Sequence, residues 1–365
     1  MTAVRPALAT EVRGARLSGV DVARAVALFG MVAAHVGGIA EQLDWSDPAS
    51  WSAVVNGRSS TLFAVLAGVS VGLVSGRQHP PGPPAITRIR GRLAVRALVI
   101  VLIGIMLMGL GTSVYVILPT YGALFLLVLP ALRWRRRTLL VAAGVCALVS
   151  APAAIAIVPL YAGADMFGVQ LGLVYPVITF LAFVLVGLAV ARSVLEERGT
   201  QIALLASGAL VAATAYVVGS VAAPVPVDAG DAFPGVPFVP EGATVGQGFA
   251  QVFLSPRDHS GSIVDVVGSA GVAVAVIALC TLLVDGRGRT VERIATPLSA
   301  VGSMPLTIYA LHLVVIAALP ALPQQAATWW WFVFGAVLFA MLWQRFLGRG
   351  PAERLVARIA ASVVR

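Results

Sequence analysis

Apolar runs of about twenty residues, separated by connectors of which every second one is rich in arginine, recur along this chain from residue 20 to residue 347. A helix needs about 20 mostly apolar residues to cross a bilayer. In hydrocarbon every backbone N–H and C=O must be satisfied internally, so such runs fold as helices. About ten stretches meet this rule: 20–40, 59–76, 93–111, 113–132, 139–160, 172–191, 202–223, 263–284, 302–322 and 328–347. The expectation is an all-α, polytopic integral membrane protein of about ten transmembrane helices, forming one domain over residues 1–365. Composition excludes a soluble fold. The chain is 59% hydrophobic and 11% charged, whereas soluble domains carry about 25% charged residues.

All 25 basic side chains are arginine. The connectors "RQHPPGPPAITRIRGR", "RWRRRT", "RSVLEERG" and "DGRGRTVER", with the terminal "RFLGRGPAERLVAR", fall on one side of the expected topology; only Arg58 and Arg257 fall on the other. By the positive-inside rule both termini are cytoplasmic and the protein lies in the cytoplasmic membrane. The sequence pI near 10.7 does not point to nucleic acid, because the arginines sit between spans and not on a separate domain. The N-terminal segment does not match a cleaved signal, since the apolar stretch after it is too long and carries Asp21 and Arg24. Cys146 and Cys280 lie within apolar runs and serve as small hydrophobic filler. The tail 351–365 places Arg354, Arg358 and Arg365 on one helical face and Leu355, Ile359 and Val363 on another, which suits the inner membrane surface. The Pro- and Gly-rich outer loop, about 224–262, is either a lid or acceptor-binding element or a passive connector.

Several polar groups fall inside the expected spans, where a charge costs a few kcal/mol, roughly 2.5 to 3.5 on insertion scales. The first span, "DVARAVALFGMVAAHVGG", carries Asp21, Arg24 and His35. At 100° and about 1.5 Å per residue, Arg24 and His35 share a face and stand roughly 16 Å apart. Asp21, three residues before Arg24, is placed to pair with it. The stripe runs from the cytoplasmic edge into the membrane. In "GSMPLTIYALHLVV", Tyr309 and His312 share a face of the ninth span at comparable depth. Two imidazoles at similar depth suggest a shared polar cavity, and a neutral imidazole is the form a general base requires. His79 and His259 fall in loops on opposite sides, so no metal site is expected. "PRDHSGS" offers Asp258, His259 and Ser260 as a hydrolytic triad, but sequence neighbours rarely form one. Asn56 and Arg58 stand at the outer mouth, ahead of a span whose Gly68 and Ser70 suit close helix packing. On the inner side Arg88, Arg90, Arg92 and Arg96 are either a topology signal or a dock for phosphate groups.

The pattern Asp21, Arg24, Ala27, Leu28, Met31 and Val32 resembles the first span of the heparan-alpha-glucosaminide N-acetyltransferase family and its bacterial relatives. "NGRSSTLFAVLAGVS", "LPTYGALFLL" and "GSMPLTIYALH" look like later landmarks of the bacterial branch. The arginine–histidine spacing is also similar to that of membrane O-acyltransferases acting on surface glycans. The resemblance implies acyl-CoA, with acetyl-CoA as the expected form, as a co-substrate from the cytoplasm, with no tightly bound cofactor. It implies an acceptor hydroxyl or amine from the other side. On that basis His35 would be catalytic, assisted by His312 and Tyr309. Arg24, Arg88, Arg90 and Arg92 would hold the donor, and Asn56, Arg58 and Asp21 would line the acceptor path. A proton-coupled transporter or lipid exporter, with the same intramembrane groups as a proton relay, is the rival reading.

Overall fold

The computed structural model describes residues 17–40, 43, 46–161, 163–165, 168–169, 173–226 and 233–364. Among them are thirteen α-helices and no strand. In chain order they are α1 (Ser18–Val36), α2 (Arg58–Val74), α3 (Ala85–Met108), α4 (Leu118–Leu127), α5 (Arg136–Ile157), α6 (Val177–Val190) and α7 (Arg198–Ala222). After these come α8 (Val245–Leu254), α9 (Ile263–Val284), α10 (Arg289–Gly302), α11 (Pro305–Ala318), α12 (Ala326–Leu347) and α13 (Pro351–Val363).

Seven helical segments are long and apolar enough to cross a bilayer: α1, α2 with the 3-10 turn that leads into it, α3, α5, α7, α9 and α12. Helices α10 and α11 meet at a 64° bend. The runs 113–132 and 172–191 hold only the shorter apolar helices α4 and α6. Each is short because the chain before it enters the bundle in non-helical form. Val114, Val116 and Ile117 are buried ahead of α4, and Leu173 and Val174 ahead of α6. Irregular backbone at membrane depth must be covered by protein and have its polar groups satisfied. Two tyrosines contribute to this. Tyr309 Oη accepts from Ile117 N at 3.2 Å, and Tyr175 Oη donates to Tyr115 O at 3.2 Å.

The helices differ in how far they face the surroundings. About 72% of the α1 segment is buried inside the protein, against 17% of α12 and 22% of α7. That answers why α1 tolerates Asp21, Arg24 and His35: it is an interior helix, and its polar stripe faces protein. Close packing inside the bundle depends on glycine. A Cβ on Gly187 of α6 would sit 1.9 Å from Val65 O of α2, and one on Gly68 of α2 would sit 2.1 Å from Val184 O of α6. The two backbones therefore touch at reciprocal small-residue positions.

One end of the bundle is arginine-rich. There Arg77 pairs with both Glu196 oxygens, at 2.5 and 2.6 Å, and Arg192 donates to the carbonyls of Arg77 and Leu132. The Arg77 guanidinium holds the Glu196 carboxyl below the usual glutamate range, and the pair raises Arg77 in turn. At this end α13 is tied to the body: Glu353 Oε1 accepts from Leu306 N and Thr307 N at 2.7 and 3.1 Å, satisfying the first turn of α11. Val356 and Ala360 are the buried positions of α13, while Leu355 and Val363 are exposed. Arg365 lies outside the described residues.

Candidate functional site

The opposite end of the bundle gathers the polar groups. His35, near the end of α1, and His312, midway along α11, stack with ring centroids 5.4 Å apart and planes 8° from parallel. Nδ1 of His35 and Nε2 of His312 are 3.3 Å apart. Two imidazole nitrogens in such contact share one proton, one donating and the other accepting. Tyr309, one turn before His312, presents its ring edge-on at 5.0 Å. Both Tyr309 and His312 are almost fully buried, at 1% and 4% exposure.

His35 and Tyr309 line a polar cavity of about 170 Å³ with Asn56, Tyr175, Asp258 and His259. Six separate segments of the chain contribute to its lining. Gly57, at φ 65°, turns the chain into α2, and a Cβ there would approach Asp258 Cβ at 3.1 Å and the His259 ring at 3.5 Å. Asn56 Nδ2 donates to Ala40 O at 3.0 Å, tying the residue before Gly57 to the chain just after α1. His259 itself adopts φ 57°, an uncommon conformation for a residue with a Cβ. Its carbonyl accepts from Gly235 N at 2.8 Å, which ties it to the long loop before α8. Beside it, burial lowers the Arg257 guanidinium from its ordinary value, with Asp258 and Asp265 opposing the shift. Arg257 donates to Val236 O at 2.6 Å.

A second polar cluster adjoins the cavity. Asp265, in the first turn of α9, is 5% exposed and accepts from Gly261 N at 3.1 Å and from Ser269 Oγ at 3.2 Å. Tyr216 Oη lies 3.0 Å from Ser269 Oγ, and the Arg58 guanidinium lies 5.0 Å from the Tyr216 ring centre. Arg58, the first residue of α2, is thus turned to Tyr216. It is absent from the lining of the His35 cavity.

The remaining sequence candidates stand at the arginine-rich end. Arg24 Nη1 contacts Asp21 Oδ1 at 2.5 Å, and Arg24 Nη2 donates to Ser70 Oγ at 2.8 Å. Ser70 is therefore more than a packing residue, because it links α2 to the arginine of the α1 stripe. Arg88, Arg90 and Arg92 lie in the first turns of α3. Arg90 Nε donates to Leu129 O at 3.1 Å, and Arg92 Nε to Val364 O at 3.2 Å. None of Asp21, Arg24, Arg88, Arg90 or Arg92 lines the His35 cavity. The fold brings together His35, His312, Tyr309 and Asn56, and keeps Arg24, Arg88, Arg90 and Arg92 out of the adjoining cavity. Sequence reasoning weighed Asp258 and His259 as part of a triad, and His259 as a metal ligand, set both readings aside, and passed over Tyr175 and Asp265. The signal for the last was an acidic residue in an otherwise apolar run. Among the described residues no group of three His, Cys, Asp or Glu is placed to hold a metal ion.

Nothing among curated proteins matches the chain. Two family models do. Residues 243–362 match a protein of unknown function (DUF418), and this portion carries Tyr309, His312, Asp258 and His259. Residues 16–224 match the catalytic region of heparan-alpha-glucosaminide N-acetyltransferase, and this portion carries His35 and Asn56. The histidine pair thus joins the two matched regions. With more than half its length in the second match, the chain belongs to the heparan-alpha-glucosaminide N-acetyltransferase-like family of transmembrane acyltransferases.

Proposed function

We propose that this protein moves an acyl group, most simply acetyl, from acyl-CoA at the arginine-rich end to a hydroxyl or amine entering from the His35 end. The acceptor is an envelope glycan, lipid or small molecule. In this reading the arginine-rich end is cytoplasmic, about ten segments cross or enter the cytoplasmic membrane, and both termini face the cytoplasm. The family membership supports the reaction class. The stacked pair His35–His312, 3.3 Å between nitrogens, with His35 on the wall of a polar cavity, is the observation that carries the chemistry.

His35 takes the proton of the acceptor hydroxyl or amine as the new C–O or C–N bond forms at the thioester carbonyl. The C–S bond breaks, and the CoA thiolate leaves and recovers a proton. His312 receives or returns the shared proton, and Tyr309 holds the His312 ring. Asn56, Asp258 and His259 orient the acceptor. Arg88, Arg90 and Arg92 hold the nucleotide phosphates, with Arg24 and Asp21 at the entry to the stripe. Since these arginines line no part of the His35 cavity, the stripe between Arg24 and His35 must open to admit the pantetheine arm. Alignment of both substrates supplies much of the rate gain.

The test incubates purified protein with labelled acetyl-CoA and an envelope extract of the source cells. Wild type should label a product, and His35→Ala should slow labelling by about 10² to 10⁴-fold, the usual contribution of a general base. Replacing Arg88 and Arg90 by Ala should weaken acetyl-CoA binding. Proton-coupled flux in vesicles, abolished by His35→Ala and accompanied by no affinity for CoA, would overturn the proposal in favour of a transporter.

A further inference from the structure

The histidine pair separates two cavities of opposite character. His35 lines the polar one, whereas His312 lines a larger cavity of about 620 Å³ between α1, α11 and α12. Its walls are Phe29, Val32, Leu311, Val315, Trp331 and Gly335 among others, and its few polar side-chain groups are those of His312, Gln325 and Thr328 and the Trp331 indole N–H. The Thr328 hydroxyl is already engaged, donating to Pro323 O at 2.7 Å. The volume is within the range of small-molecule sites, about 300 to 1,000 Å³. Trp331 at 78% and Leu319 at 52% exposure stand on its rim, so it opens sideways where a bilayer would lie.

We infer that this cavity holds the hydrocarbon chain of a lipid-borne acceptor, whose polar head reaches past His312 to the His35 cavity. The inference rests on the acyltransferase reading and adds the acceptor class to it. Three features select this occupant. A hydrated sugar would forfeit hydrogen bonds against walls with so few polar groups. A hydrocarbon chain carried by CoA would start from the arginine-rich end, yet the cavity includes Leu319, Leu322, Pro323 and Gln325, which join α11 to α12 at the other end. A lipid in the adjoining leaflet meets an opening at its own depth, and its head is then delivered beside the one imidazole pair that faces both cavities.

Glycine supplies the probe. A Cβ on Gly335 meets nothing within 4 Å, so α12 accepts a side chain there, and that side chain would enter the cavity. Gly144 of α5 has the same open surroundings but lines a separate apolar groove of about 330 Å³ that does not include His312. Wild type, Gly335→Leu and Gly144→Leu are reconstituted in lipid nanodiscs with labelled acetyl-CoA and envelope extract. Thermal unfolding verifies each variant, and products are partitioned between butanol and water. Label should enter the butanol phase with wild type. Gly335→Leu should lower it at least tenfold through a raised KM for acceptor, and Gly144→Leu should match wild type. Label confined to the aqueous phase would remove the lipid acceptor while leaving acyl transfer intact. Equal labelling by Gly335→Leu and wild type would show that the cavity holds only bulk lipid. If wild type neither binds acetyl-CoA nor labels any product, the acyltransferase reading fails and the lipid site falls with it. If leucine unfolds α12, Gly335→Val is read in the same partition: lowered butanol label supports the cavity, and label equal to wild type overturns it.

Discussion

At the scale of single residues, the proposed chemistry rests on two histidines 277 positions apart that share one hydrogen-bonding contact. If they act as one proton-handling unit, their losses should not multiply, because groups acting together are strongly non-additive. The expected outcome is that His35→Ala with His312→Ala is slower than the slower single variant by no more than about threefold. Turnover rates that multiply across the cycle would assign the two rings independent roles. Part of this was legible beforehand: helical spacing put Tyr309 with His312 and Asp21 with Arg24, since a helix has one fixed period. The contact between the two rings was not legible, because nothing local says that α1 and α11 are neighbours. Nor was the return of His259, which depends on how the loop before α9 folds over the bundle.

At the scale of elements, the bundle owes its tightness to backbone contacts that a methyl group would break. Gly187→Ala places a carbon 1.9 Å from Val65 O, so α2 and α6 must separate. Overpacking of this kind costs about 1 to 3 kcal/mol, and Gly187→Ala should lower the unfolding temperature in detergent. Gly199→Ala, in the first turn of α7 with nothing within 4 Å, is the control. It should be neutral or stabilising, as alanine is the better helix former by about 1 kcal/mol. Equal behaviour of the two variants would show that the close approach is not real. The short helices α4 and α6 belong to the same scale. Hydropathy registered the length of their apolar runs and not their backbone state. A buried non-helical segment is as apolar as a helix when its polar groups are met by Tyr309 and Tyr175.

At the scale of the whole molecule, charge is segregated by end. The paired Arg77 and Glu196 join the loop after α2 to the loop before α7. Because Arg77 depresses the Glu196 carboxyl in the folded state, its contribution is present above the unfolded pKa, about 4.3, and lost as pH falls through the lower folded value. Both side chains are partly exposed, so the effect is at most about 1 kcal/mol. The unfolding temperature of wild type should exceed that of Arg77→Gln at neutral pH and converge with it in acid. A gap that persists unchanged below pH 4 would assign the stabilisation to Arg77 packing and not to the ion pair.

The amino-acid sequence alone determined the membrane environment, the helical class, the segregation of arginines and the identity of the intramembrane polar groups. All of these follow from composition and from periods of a few residues. Only the tertiary structure decided that α1 is an interior helix, that two expected spans are short helices preceded by buried loops, and that His35 meets His312 between a polar and an apolar cavity. Those outcomes depend on which helices pack together. Small residues set that choice through backbone contacts between segments far apart in the chain, and no local pattern records the partner.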